Sequence, residues 1–380
     1  MDLSELRNEI DLIDDGIAEL FVKRMETVKK VGIEKGKAGL PIENTLREKE
    51  VLTRVTKTMP PALKLYAKQV FETLFNIGKA YQSELIDLRS AIKSELTAAI
   101  LDGIKPFPDC ASVACQGLPG AYSTAAADRL FSIADIMYFK DFDAVFGAVE
   151  RGLCEFGVLP IENSSTGSVN AVYDLMRKHS FYIARSIKLK VQHYLLAKNG
   201  IKISDVKEIF SHEQAIGQCA EYLKSLKNVK VTVCDNTAVA AQLVAESGRT
   251  DVAAICAREC AGIYGLSVVQ PNIQDNDSNY TRFIAISKKL KVYENSDKIS
   301  IMVNLPNTAG SLNRILNKFS AQGLNLTKLE SRPLTNTPFE FAFYFDIDAK
   351  IEKREVLNLL SEIENTCDKF VFLGCYRELK

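Results

Sequence analysis

The chain has 380 residues, with 48 basic and 48 acidic side chains and 47% apolar residues. Balanced charge provides no field for nucleic acid or an anionic membrane, and no apolar run approaches the roughly 20 residues of a membrane span. The length suits two to four domains of about 100–200 residues each. The start, Met1-Asp2-Leu3-Ser4-Glu5, lacks the basic and apolar regions of a signal peptide. Nine cysteines, scattered and mostly in apolar runs, suit reduced thiols in a cytoplasm. Cys256 and Cys260 lie four apart and could share a helix face, but no histidine is near them, so no metal is expected.

Residues 3–35 read as one helix, since Leu3, Leu6, Ile10, Ile13, Ile17 and Leu20 step by three and four and Val31 continues the stripe. Arg24 falls on that apolar seam, with Arg7, Phe21, Val28 and Lys35 on its flank. A cation on a buried seam needs a partner or a ligand. Gly36, Gly39 and Pro41 break the helix. A second helix spans about 43–57 and ends at Pro60-Pro61. A third runs from Ala62 past Tyr81, with Leu63, Tyr66, Val70, Leu74, Ile77 and Tyr81 inward, and continues through Leu85, Leu88 and Ile92. This gives an all-helical domain over 1–92 and a linker over 93–110, ending at Pro106-Phe107-Pro108.

From Ala111 the texture becomes α/β. Strands are expected at 112–115, 156–159, 181–184, 191–197, 208–210, 230–234, 252–255 and 282–286, and helices at 123–130, 142–151, 169–178, 213–226 and 237–247. The pattern predicts largely parallel sheets, ligand clefts beyond the strand C-termini, and two lobes over 111–290. Within it, Phe156-Gly157-Val158-Leu159 stops at Pro160 and opens into Glu162-Asn163-Ser164-Ser165-Thr166-Gly167-Ser168 before an amphipathic run. That order sets N–H groups and hydroxyls at a helix start, where an anion can be held without a lysine. Ser211 and Gln214 read as a capping box. Residues 297–380 read strand, helix, strand, strand, helix, strand at 299–304, 310–322, 325–330, 339–346, 353–363 and 369–373, the ferredoxin-like α+β order.

Arg7, Arg24, Lys35, Arg47, Glu48 and Gln82 stand where the helical chorismate mutases carry their active-site residues, a resemblance spanning roughly residues 1–90. Rearranging chorismate to prephenate is pericyclic, so the site must hold a dianion in its reactive shape and stabilise charge on the breaking ether oxygen. The resemblance implies that Arg7, Arg24 and Arg47 hold carboxylates, that Lys35 and Gln82 donate to the ether oxygen, and that Glu48 accepts from the ring hydroxyl. At about 1.5 Å per residue, Arg7 lies roughly 25 Å along the helix from Arg24, so it must serve a second site in a dimer. Asn44 and Gly78 depart from the family's commoner acidic residue and serine.

Five segments resemble prephenate dehydratases over roughly 111–288: Gly117 to Ser123, the Pro160 to Val169 run, Asn170 to Leu175, Ser211-His212-Glu213-Gln214, and Asn279-Tyr280-Thr281-Arg282-Phe283. Prephenate loses its ring hydroxyl and ring carboxylate together, driven by aromatisation. The hydroxyl needs a proton donor, whereas a tight ion pair on the departing carboxylate would hold it back. Family precedent gives Thr281 the donor role, with Asn163, Ser164, Ser211 and Gln218 as substrate contacts and Arg282 on the side-chain carboxylate. Ser211-His212-Glu213 is not a hydrolase triad, because neighbours in sequence rarely aim at one point.

Asn307-Thr308-Ala309-Gly310-Ser311-Leu312 and Glu330-Ser331-Arg332-Pro333 resemble the amino-acid-binding segments of ACT domains. The implied ligand is L-phenylalanine, its carboxylate at the Gly310 helix start, with Ala309, Gly310, Ser311, Leu312, Glu330, Ser331 and Arg332 as contacts. A chain ending after Lys289 is then expected to dehydrate prephenate yet ignore phenylalanine. As a whole the chain resembles the bifunctional chorismate mutase–prephenate dehydratase family, which implies no cofactor and no metal. The alternatives are a dehydratase whose mutase-like region serves only dimer contacts and a two-lobed small-molecule binding protein. A prephenate dehydrogenase is disfavoured, because no Gly-x-Gly-x-x-Gly turn follows a strand.

Overall fold

The computed structural model of the protein describes residues 2–85, 90–308, 310–334 and 340–379. Ala309 therefore lies outside the described residues, as do Leu88 and Phe339. Helix α1 spans Leu3–Ala38. Asp2 Oδ1 accepts the N–H groups of Ser4 and Glu5, and Glu5 accepts that of Asp2, so a capping box opens the helix. Gly39, left-handed at φ 63°, closes it. Helix α2, Thr45–Lys57, is capped by Asn44, whose side chain accepts the Arg47 N–H at 3.0 Å. Helix α3 is Lys64–Leu85. The expected linker is instead helical in its first part: α4, Ala91–Leu101, starts at the Ser90 cap and buries Ile92 and Leu96.

The α/β region follows as β1 Cys110–Gln116, α5 Tyr122–Leu130, β2 Ile133–Phe139, α6 Phe142–Glu150, β3 Phe156–Asn163, β4 Gly167–Ser168, α7 Asn170–Met176 and β5 Tyr182–Lys190. The chain then builds β6 Tyr194–Ala197, β7 Glu208–Ser211, α8 Glu213–Gln218, α9 Ala220–Ser225, β8 Lys230–Val233, α10 Thr237–Glu246, β9 Val252–Cys256, α11 Glu259–Tyr264 and β10 Ser267–Gln270, and returns with β11 Tyr280–Ser287. The last elements are β12 Lys298–Asn304, α12 Ser311–Ala321, β13 Asn325–Pro333, β14 Phe341–Asp348, α13 Arg354–Thr366 and β15 Lys369–Leu379.

Two compact units result, one of Met1–Asp102 with Ile299–Phe372, the other of Gly103–Lys298 with Leu373–Lys380. In the first, α3 packs on α1 and α2 and also on α12 and α13. The buried Asn358 of α13 accepts from Lys93 Nζ at 2.7 Å and donates to the Ser83 carbonyl at 2.9 Å. The strands of this unit order as β13-β14-β12 followed by the start of β15. The apolar stripe of α1 is not buried within the chain: Ile10, Ile13 and Ile17 are 55–59% exposed, and Leu63, Tyr66 and Val70 near the start of α3 are exposed too.

The second unit carries two sheets. One orders as the end of β15, then β5-β11-β3-β1-β2, the other as β10-β6-β9-β7-β8. Both are mixed rather than largely parallel: β1 runs parallel to β2 and β3, and β7 to β8 and β9, as expected, but other pairs do not. β11 runs antiparallel to both β3 and β5, and β6 antiparallel to both β9 and β10. The cause is the excursion: the chain leaves after β5, builds the second sheet, and must re-enter between β5 and β3. Each sheet has its own core, Phe156, Val158, Phe283 and Ala285 in one, Leu195, Leu196, Ala254 and Ile255 among the second's. The C-terminal strand also differs from expectation. It continues past Leu373, burying Cys375 and Tyr376, and pairs Arg377, Glu378 and Leu379 in parallel with Arg185, Ser186 and Ile187. Gly374 permits this, since a Cβ there would stand 2.3 Å from the Ile183 carbonyl oxygen.

Candidate active sites

In the first unit a cavity of about 210 Å³ is lined by Arg24, Lys35, Arg47, Glu48 and Gln82, with Asn44, Phe75, Gly78 and Lys79. Arg24 leaves the exposed stripe and turns to α3, donating to the Leu74 carbonyl at 3.0 Å with its guanidinium 6.0 Å from the Phe75 ring. Lys35 Nζ donates to the Ile42 carbonyl at 2.5 Å. Burial lowers its pKa below the ordinary 10.5, Glu48 opposes this, and Lys79 adds to it. Gln82 Nε2 donates to the Val28 carbonyl at 3.1 Å. Its stem lies against Gly32, where a Cβ would come within 2.9 Å of Gln82 Cγ. Arg47 pairs with Glu50 at 2.9 Å. Arg7 is not brought to this group. Lys79, which the sequence reading passed over, pairs with Glu48 at 3.0 Å and lies 3.9 Å from Glu43. Its signal was its place three residues, about one turn, before Gln82 on the same helix.

The polar run of the second unit is a hairpin rather than an open helix start. β3 continues through Pro160 to Asn163 and turns back at β4, pairing Asn163 with Gly167. Pro160 is tolerated because the pairing with β11 shifts register between Arg282 and Phe283, a bulge. Asn163 Oδ1 accepts the N–H groups of Ser165 and Thr166, both at 3.0 Å, so these are not presented to an anion. Its Nδ2 donates to Asn279 Oδ1 at 2.7 Å and to Thr281 Oγ1 at 2.9 Å. Ser164 is tied to the same strand, accepting the Tyr280 N–H at 2.9 Å and donating to Ser278 at 3.1 Å.

Across from this hairpin, Gln214 donates to Thr166 Oγ1 at 2.7 Å. Ser211 is buried and donates to the Ile255 carbonyl, and it is His212 that caps α8, so the expected Ser211–Gln214 capping box is absent. Gln218 Oε1 meets His193 Nε2 at 2.8 Å. Burial lowers the His193 pKa while the Gln218 hydrogen bond raises it, with a net fall, and a neutral ring facing that acceptor carries its proton on Nε2. Gly120 packs so close to α11 that a Cβ would meet Cys260 Sγ at 2.8 Å. Cys256 ends β9 rather than sharing a helix with Cys260. Among the described residues no cluster of His, Cys, Asp and Glu could hold a metal.

Arg282 departs from its expected role as a substrate contact. It points away from the Asn163–Thr281 pair, is 6% exposed, donates to Tyr376 Oη at 2.7 Å and pairs with Glu378 at 2.7 Å. Strand alternation is the reason, since neighbours 281 and 282 face opposite sides of the sheet.

At the start of α12 a cavity of about 430 Å³ is lined by Leu305, Asn307, Gly310, Ser311, Leu312 and Phe343, among others. Gly310 is left-handed at φ 83°, and Ser311 Oγ is held by Thr308 at 2.7 Å and Arg314 at 2.9 Å. Glu330, Ser331 and Arg332 do not line this cavity. They lie on the edge strand β13, where Ser331 pairs with Phe343.

The helical cavity and the polar hairpin lie in separate units, and comparison with known proteins gives the class. The type II chorismate mutase model matches residues 6–83 and the prephenate dehydratase model residues 113–291. The chain is 30% identical over 376 residues to a bifunctional chorismate mutase/prephenate dehydratase of Aquifex aeolicus, covering 99% of this chain and 98% of that one. It is 36% identical over 311 residues to an arogenate dehydratase/prephenate dehydratase of Arabidopsis thaliana, covering 79% and 80%. Among solved structures, a prephenate dehydratase from Arthrobacter aurescens in complex with L-Phe aligns with a TM-score of 0.64 at 28% identity, covering 70% of this chain and 90% of that one. The chain belongs to the bifunctional chorismate mutase/prephenate dehydratase family. It rearranges chorismate to prephenate, then decarboxylates and dehydrates prephenate to phenylpyruvate.

Proposed function

We propose that the helical cavity is the mutase site and that Arg7 of a second copy completes it. The observation carrying this is that Arg24, Lys35, Arg47, Glu48 and Gln82 share one cavity while Arg7 stands apart on an apolar stripe exposed within the chain. A stripe of that length is covered by an antiparallel copy of the same helix, which brings Arg7 across. Lys35 and Gln82 then donate to the ether oxygen, the arginines hold the carboxylates, and Glu48 must exchange Lys79 for the ring hydroxyl. Mixing Arg7→Ala with Lys35→Ala tests this. Each variant alone is inactive as a mutase, and hybrid dimers regain one intact site, about a quarter of wild-type activity in a random mixture. A mixture no more active than its parents would place Arg7 and Lys35 in one chain's site.

In the dehydratase, Thr281 donates to the departing hydroxyl. Its Oγ1 accepts from Asn163, which leaves its O–H to hydrogen-bond the departing hydroxyl and relay to it a proton that solvent replaces. Ser164, Ser211 and Gln218 shape the substrate site. The strands and helices of residues 297–380 form a ferredoxin-like ACT domain, and phenylalanine seats its carboxylate at Gly310, with Glu330, Ser331 and Arg332 of a second copy at the ammonium end. This reading is supported by the cavity at Gly310 and by the L-Phe complex of the Arthrobacter relative. Calorimetry with phenylalanine, on wild type and Gly310→Val, tests it, with binding lost in the variant. The unpaired thiols fit a reducing cytoplasm.

A further inference from the structure

The back of the dehydratase sheet carries a charged cluster with no part in the chemistry above. Glu378, near the end of β15, is 15% exposed and faces three cations: Arg282 at 2.7 Å, Lys188 at 2.9 Å and Lys298 at 4.0 Å. Ser186 donates to it at 3.3 Å. Arg282 and Lys298 are themselves buried, each at 6% exposure. The cluster spans three adjacent strands, since Glu378 pairs with Ser186 on β5 and Arg282 pairs with Lys188 across β5 and β11. Arg282 is the residue directly after Thr281, and Tyr376 holds its other end. Burying so much charge on one face of a sheet is costly unless the carboxylate stays in place. That carboxylate fixes Arg282, and Arg282 fixes the backbone from which Thr281 projects on the opposite face.

We propose that Glu378 is a positioning residue of the dehydratase, holding Thr281 in register through Arg282, and that β15 transmits the effector's signal to that site. The strand supplies the route because it starts at Lys369 in the unit that bears the Gly310 cavity and ends in the dehydratase unit. An effector that alters the lie of β15 alters the grip of Glu378 and Tyr376 on Arg282. The transmission half rests on the phenylalanine reading given above.

The test uses the full chain with Glu378→Gln and, as a milder cut that keeps the charges, Tyr376→Phe. Prephenate kcat should fall about tenfold or more in Glu378→Gln and less in Tyr376→Phe, because small misplacements of a reacting group are expensive. KM should stay within about twofold, as neither residue touches substrate. Mutase turnover should be unchanged, and a circular dichroism spectrum and melting curve like those of wild type serve as the folding control. Calorimetric phenylalanine affinity should be kept while the maximal inhibition of the dehydratase shrinks. Unchanged kcat in both variants overturns the positioning role. A raised KM at constant kcat overturns it in favour of Arg282 as a substrate contact. Inhibition of wild-type strength in Glu378→Gln overturns the transmission role. If wild type binds no phenylalanine, the effector reading fails by itself, and prephenate kcat still judges Glu378.

Discussion

At the scale of single residues, charge and hydrogen-bond direction decide what each site can do. With Lys35 proposed as the charged donor to the ether oxygen, Lys35→Ala should cost the mutase roughly 3–4 kcal/mol of barrier while prephenate turnover is untouched. Its pKa is lowered by burial, so the mutase should lose activity on the alkaline side below the ordinary lysine value, as the ammonium deprotonates. Removing the like charge with Lys79→Ala should move that alkaline limb up, and Glu48→Gln should move it down. A pH profile of chorismate turnover for the three proteins checks the order. In the dehydratase, Asn163 Nδ2 donates to Thr281, which sets the hydroxyl as a donor. Thr281→Ala should abolish dehydration and Thr281→Ser retain part of it. Asn163→Asp should also fail, because a carboxylate there would draw the threonine proton to itself. Equal rates for the alanine and serine variants would remove the hydroxyl from the mechanism.

At the scale of elements, α1 approaches α3 closely at Gly32, which lies under Gln82. Gly32→Ala should favour the helix by its propensity, by about 0.5–1 kcal/mol, yet push Gln82 off the Val28 carbonyl. The expected result is a protein with an unchanged or higher melting temperature and a mutase kcat down about tenfold, read against an unaltered dehydratase. The periodicity of α1 was legible in sequence, and so was Arg24 as an exception on the seam. What covers the seam was not, because a helical stripe records only that some surface must be buried. The third helix repeats the lesson: Leu74 and Ile77 are partly buried as expected, while Tyr66 and Val70 stay exposed within the chain.

At the scale of the whole molecule, the C-terminal strand revises the expected truncation. A chain ending after Lys289 loses Lys298, Tyr376 and Glu378, and with them the carboxylate and the hydroxyl that hold Arg282. Breaking a buried ion pair by removing one partner costs about 3–5 kcal/mol. The truncated protein should therefore lose dehydratase activity and unfold at lower temperature, instead of working free of control. Full prephenate turnover by that chain would show the strand end to be dispensable. The first unit makes a parallel case, since Asn358 of α13 holds the Ser83 carbonyl beside Gln82, so the mutase helices also depend on the C-terminal region.

The sequence by itself determined the local order: helices with their breaks, the alternation of short strands and helices, and the motifs that mark both activities. Those follow from periodicity and backbone preference, which act over a few residues. Strands β2 and β10 escaped notice because they lie towards sheet edges with alternating, partly exposed side chains, and the 93–110 segment hid a helix that is held by burying Ile92 and Leu96. Only the tertiary structure decided which motif residues meet. Arg24, Lys35, Arg47, Glu48 and Gln82 converge because α1, α2 and α3 pack together, and Asn163 meets Thr281 because β11 returns beside β3. Arg282 turns away because a strand gives alternate residues to opposite faces, and the residues that receive it lie almost a hundred positions later in the chain.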